Sequence, residues 1–199
     1  MLPLAKAAAD RLLFDIASLR YVVTSIPEGG LDKPVSDGEW NAREILAHIA
    51  AYLDLYGGVL ERIKRGEEPF PPDFSLEAFH DQTPDGGASG DSSHLPDLLT
   101  RLDDARDRLT AALGPLTAKD LKLPFRTATI GNAIQRWPMH VPAHALEIVA
   151  TFPEFHIDPL ILNWLLVIDF GNDEAKARQD SIRESGSTLL DDIEAAADE

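Results

Sequence analysis

Ile45-Leu46-Ala47-His48-Ile49-Ala50-Ala51-Tyr52-Leu53-Asp54-Leu55-Tyr56 places apolar or aromatic side chains at positions 45, 49, 52 and 56, and Val59 and Ile63 continue the series. Steps of four and three residues draw one stripe along a helix, so this segment predicts an amphipathic α-helix with its stripe turned to a core. His48 falls beside that stripe, one turn after Ile45 and one turn before Tyr52. Upstream, Ser36-Asp37-Gly38-Glu39 reads as a capping box, with Ser36 at the cap and Glu39 reaching back. Gly57-Gly58 weakens the helix midway without breaking its period, and Gly66 is placed to end it.

Three more segments carry the same period. Leu12, Ile16, Leu19, Val23 and Ile26 form a stripe that Pro27-Glu28-Gly29-Gly30 terminates. Leu95, Leu98, Leu102, Ala105, Leu109, Ala112 and Leu116 form a seven-residue repeat. A fourth helix is expected from Ile130 to Thr151, with Ile134, Trp137, Val141, Ala145 and Ile148 near one face. A shorter piece from Pro159 to Phe170 is apolar nearly all round and is expected to be buried. Between the second and third helices, Glu67 to His94 is rich in Pro, Gly, Ser and Asp, with a short helical candidate from Leu76 to Gln82. No run alternates with a period of two long enough for a sheet. These elements predict an all-α protein: a four-helix bundle with additional C-terminal helices. The bundle domain is expected over residues 1–170, followed by an acidic extension over 171–199 that is helical or partly mobile.

Composition narrows the function. The chain of 199 residues has no cysteine, which excludes cysteine nucleophiles, Cys-type zinc sites and iron–sulfur clusters. A net charge of −16 disfavours nucleic acid and anionic lipid as partners. No stretch approaches the roughly 20 apolar residues of a membrane span, and no leader is evident, so the expected location is the cytoplasm.

The chemistry-bearing pattern is a set of histidines. His140 and His144 are four residues apart in a helical segment, which stacks their imidazoles on one side with Cβ atoms about 5–6 Å apart. Two such rings can each aim a nitrogen at one ion, at about 2.0–2.1 Å for zinc. A third ligand must come from another helix, and His48 is the candidate. Without a fourth protein ligand the site keeps an open position for water or substrate. Trp40, Tyr52, Tyr56 and Trp137 are candidates to line the cavity, or else ordinary core residues. Glu44, one turn before His48, is one candidate base, though the sequence singles out no catalytic residue. His80, His94 and His156 read as surface residues, with His80 on a loop able to fold over the site.

At these residues the chain resembles the DinB/YfiT-like superfamily of metal-binding four-helix bundles. The matching pieces are Trp40-Asn41-Ala42-Arg43-Glu44-Ile45-Leu46-Ala47-His48 and His140-Val141-Pro142-Ala143-His144-Ala145-Leu146-Glu147-Ile148. The similarity covers about residues 4–152. It implies a divalent metal, zinc or nickel, on His48, His140 and His144. It also implies either an enzyme that transfers a low-molecular-weight thiol (bacillithiol, mycothiol or glutathione) to a small electrophile, or a metal-dependent hydrolase. The alternative is a non-catalytic metal-binding or stress-response protein. A homodimer is expected in either case. The chain departs from the pattern at Pro142, which lacks an N–H and predicts a kink near His140. It departs again at Glu147, where relatives often carry Gln. That carboxylate is either a hydrogen-bond partner of a ligand histidine or a solvated surface acid.

Overall fold

A computed structural model describes residues 1–35, 40–71, 73–75, 79 and 94–197. The expected capping box at Ser36–Glu39, the short helix at Leu76–Gln82 apart from Phe79, and the loop histidine His80 lie outside the described residues.

The described residues form seven α-helices: α1 (Pro3–Ser25), α2 (Ala42–Lys64), α3 (Leu95–Leu113), α4 (Ile130–Arg136), α5 (His140–Thr151), α6 (Pro159–Leu165) and α7 (Asp173–Ala197). Two minimal antiparallel ladders accompany them. Strands β1 (Pro34–Val35) and β2 (Trp40–Asn41) pair just before α2, and β3 (Pro124–Phe125) and β4 (Ala128–Thr129) pair just before α4. None of the described helices is long and apolar enough to cross a membrane. The chain divides into two compact units, one made of Met1–Ala17 with Arg43–Val141 and the other of Ser18–Ala42 with Pro142–Glu199.

In the first unit the stripes read from the sequence are the core. Leu12, Ile16, Ile45, Ile49, Leu102 and Leu109 are buried, as is His48. Helix α2 runs unbroken through Gly57-Gly58, which lie where α3 crosses it. A side chain at Gly57 would meet Arg108 Cγ at 3.2 Å and the Leu109 amide nitrogen at 3.4 Å. The space lets Arg108 lie across α2 and reach Asp54 (2.7 Å) and both oxygens of Glu61 (2.8 and 2.7 Å). Helix α2 ends in a Schellman motif: Glu67 N–H donates to Arg62 C=O and Gly66 N–H to Ile63 C=O, both at 3.0 Å, with Gly66 at φ 74°. The buried charge of Asp15 is met by Arg11 Nε, which donates to both carboxylate oxygens at 2.8 and 2.7 Å.

The expected fourth helix is interrupted. Between α4 and α5 the chain tightens into a 3-10 turn, Trp137–Met139, with Pro138 in it. Pro142 then falls in the first turn of α5, where a helix N–H has no partner to lose. The break predicted by Pro142 is therefore real but sits one turn earlier, at the residues whose carbonyls Pro142 cannot serve.

In the second unit Leu19, Val22, Val23 and Ile26 of α1 are buried, as are Ile148, Val149 and Phe152. Gly30 lies 2.8 Å from Ile26 Cγ2 and 3.3 Å from Phe152 Cε1 at the point where a Cβ would stand. Two expectations are corrected. The Pro159–Phe170 piece is not buried all round: Leu160 is 67 % and Val167 74 % exposed, while Ile161, Trp164 and Leu165 are covered. A two-turn helix capped by Asp158, which accepts from Leu160 N–H at 2.8 Å, has one face to bury. His156 is not a surface residue. It is buried, with Nε2 3.0 Å from the Val149 carbonyl, because the 3-10 turn Pro153–Phe155 folds it back on α5. His94, by contrast, is exposed as expected.

The acidic C-terminal segment is helical from Asp173 to Ala197. Its first half packs. Ile182 is buried, and Gln179 donates to the Leu165 and Ile168 carbonyls at 2.8 and 2.9 Å. Gly186 marks the closest approach, since a Cβ there would stand 2.2 Å from the His156 carbonyl oxygen. Gly186→Ala is therefore expected to push α7 away. The overpacking penalty of about 1–3 kcal/mol outweighs the roughly 1 kcal/mol that alanine adds to a helix. Thermal unfolding should show a melting temperature lowered by a few degrees. Gly29→Ala, which meets nothing within 4 Å, should leave it unchanged.

Candidate metal centre

Helices α2 and α5 carry the histidines. His48 is fully buried on α2, and its Nε2 lies 2.9 Å from Nε2 of His140, the first residue of α5. His144 follows one turn later on α5. One nitrogen from each of the three lies within 4.8 Å of the other two. A tetrahedral ion with bonds of about 2.0–2.1 Å separates its ligand atoms by roughly 3.3 Å. The His48–His140 spacing of 2.9 Å lies close to that value. The residues picked from the sequence are the ones brought together.

The chemistry of the donor set agrees with a metal. Two facing Nε2 atoms at 2.9 Å leave room for at most one proton between them, so at least one presents a lone pair. His144 Nδ1 is 3.0 Å from Glu147 Oε2. A carboxylate only accepts, so Nδ1 carries the proton and Nε2 is the nitrogen that bears the lone pair. Of the two readings of Glu147, the structure takes the hydrogen-bonded one. Arg178 of α7 stands behind it, 3.7 Å from Glu147 Oε1 and 2.6 Å from Glu174. Sequence reasoning missed Arg178. It lies 31 residues beyond Glu147 in a helix whose weak apolar period marks no functional face.

Aromatic rings shape the surroundings. Tyr52 stacks on His140 with centroids 3.7 Å apart and planes at 14°. Tyr56 packs on Tyr52 at 4.6 Å and on Trp137 at 4.3 Å. The Trp40 ring is 6.0 Å from that of His144, and Trp40 lies in β2 rather than in the helix it precedes. Phe79 reaches within 6.5 Å of His48. Glu44 sits half-buried in the first turn of α2. Burial, reinforced by Tyr56, pushes the Tyr52 phenol far above its ordinary range, and burial also raises Tyr56 despite Arg126 nearby. Both therefore stay protonated, and they hydrogen-bond to each other.

Two outcomes are expected. Glu147→Gln keeps the size of the side chain but drops its charge, and competition with a chromogenic chelator should show zinc affinity weakened about 10- to 100-fold. All three tyrosines have raised folded-state values, Tyr21 through its hydrogen bond to Asp158. The unfolded chain releases these protons near pH 10 while the folded chain holds them, so their effect on stability is constant below about pH 10 and falls above it. Tyrosinate absorbance should rise at a higher pH in the folded chain than in the unfolded one, and Tyr52→Phe should delay alkaline unfolding.

Residues 11–156 match the model of the DinB superfamily. Among curated proteins none matches the chain. Two solved structures share its fold. One is a mycothiol-dependent maleylpyruvate isomerase, at 18% identity and a TM-score of 0.59, covering 83% of this chain and 68% of that one. The other is a histidine-to-alanine variant of a mycothiol-dependent maleylpyruvate isomerase, at 17% identity and a TM-score of 0.58 with the same coverage. The all-α helical bundle, the family match over most of the chain and the three-histidine group agree on one conclusion: the chain belongs to the DinB superfamily.

Proposed function

We propose that the protein is a metal-dependent enzyme that transfers a low-molecular-weight thiol to a small electrophile, or hydrolyses one, at His48, His140 and His144. The observation that carries the reading is the approach of three ring nitrogens to within 4.8 Å, one of them on a histidine with no exposure to solvent. A thiol co-substrate is supported by the two solved structures, both described as mycothiol-dependent, and by the absence of any cysteine in the chain to serve as nucleophile. Zinc or nickel suits three imidazoles.

A divalent ion held by His48, His140 and His144 would supply Lewis acidity toward a thiol or water. The chain's own residues do the rest. Glu147 fixes the tautomer and the ring plane of His144. Tyr52 holds His140 by stacking. Tyr56 packs on Tyr52 and on Trp137, which gives the histidine that Tyr52 stacks on an aromatic flank. A purely structural ion would be closed by a fourth protein ligand. Among the described residues, the metal-holding group contains three. The homodimer belongs to this proposal as well, with Leu160, Leu190 and Ile193 exposed on the C-terminal helices and Val167 in the turn after α6.

Tag-free protein is expected to carry close to one equivalent of zinc or nickel by elemental analysis, and His140→Ala to lose it. Loaded protein should then consume a thiol in the presence of a small electrophile, while the variant does not. Metal bound without turnover of any thiol or ester tried would favour the non-catalytic alternative. No metal in either protein would remove both.

A further inference from the structure

Next to the histidine cluster, the first unit holds a cleft of about 310 Å³ whose walls include Tyr52, Tyr56 and Trp137 and whose rim carries Arg126 and Arg136. It shares Tyr52 with the histidine site, since that ring stacks on His140.

Three observations single out its charge. The chain is acidic by 16 charges, yet residues 121–146 contain Lys122, Arg126 and Arg136 and no Asp or Glu at all. Other arginines are tied to carboxylates: Arg108 to Asp54 and Glu61, Arg65 to Glu67, Arg106 to Asp103 and Asp107. Among the described residues, neither Arg126 nor Arg136 has a carboxylate within ion-pair distance. Finally, Arg126 is the first residue of the two-residue turn between β3 and β4 and adopts φ 54°. That position of a tight hairpin is ordinarily glycine, because a side chain there costs energy. A strained non-glycine residue kept at the mouth of a cleft points to a use for its side chain. Its guanidinium is near enough to both phenols to oppose the rise in the Tyr56 value and part of that in Tyr52.

We propose that the cleft binds a small organic carboxylate, held by the guanidinium groups of Arg126 and Arg136 against the Tyr52–Tyr56–Trp137 wall. The inference rests on reading the histidine cluster as the reaction centre, and the carboxylate belongs either to the electrophile or to the thiol that meets it there. Guanidinium forks suit a planar carboxylate through paired, charge-assisted hydrogen bonds. The neighbouring aromatic faces suit the carbon skeleton attached to it.

Tryptophan fluorescence, titrated with succinate and with its neutral diamide succinamide, tests the site in metal-free and metal-loaded protein. Succinate should bind at least about tenfold more tightly than succinamide. Arg126→Gly and Arg136→Gln should each weaken succinate by about tenfold and leave succinamide unchanged. Arg126→Gly also relieves the strained turn, so its melting temperature should equal or exceed that of the native chain. Equal binding of succinate and succinamide, or native succinate affinity in Arg126→Gly, would overturn the proposal. Parallel titration with 3-mercaptopropionate, compared with 2-mercaptoethanol, separates the two sources. Binding of succinate alone assigns the site to the electrophile, and binding of the mercapto acid with displacement of succinate assigns it to the thiol. Metal-free protein keeps the two readings apart, since succinate binding there stands even if no ion is ever taken up.

Discussion

Two imidazole nitrogens, from helices 92 residues apart in the chain, face one another at 2.9 Å with one of the rings wholly out of solvent. That contact ties α2 to the start of α5, and most of what surrounds it follows from keeping it in place. The stacked Tyr52 ring fixes His140 from one side. On the next turn, Glu147 decides which nitrogen of His144 carries the proton. Polar rings in an apolar interior cost stability unless their lone pairs are used. A divalent ion uses all of them at once.

The proline-marked break before α5 belongs to the same arrangement. A continuous helix from Ile130 to Thr151 would fix His140 relative to Trp137 by a rigid 100° step per residue. The 3-10 turn at Trp137–Met139 starts a fresh helix at His140 instead. Trp137 then closes on Tyr56 while His140 stacks on Tyr52, so one short segment supplies both the histidine and a wall of the neighbouring cleft.

Much of this was legible in the residues. The stripes through Ile16, Ile49 and Leu102 became the core because a 3.6-residue period leaves a helix one apolar face to hide. Gly66 ended α2 because only glycine takes its positive φ without cost. His48, His140 and His144 could be singled out because metal chemistry demands particular residue types at particular spacings. What stayed hidden depended on tertiary partners. The apolar run does not say that Leu160 faces outward from α6 or that Val167 lies exposed in the turn after it. Nothing near His156 announces that a 3-10 turn folds it against Val149. Arg178 serves Glu147 only because α7 returns to it, and no local pattern encodes a return. The left-handed Arg126 was invisible for a similar reason, since a dihedral angle follows from the hairpin closing and not from the residue itself.

X-ray absorption at the metal edge of tag-free, zinc-loaded protein reads the central contact directly. Three imidazole nitrogens are expected at about 2.0–2.1 Å, with the outer-shell scattering of histidine rings, and one ring fewer in His48→Ala. A first shell of oxygens, or fewer than three imidazoles in the native protein, would contradict the three-histidine site.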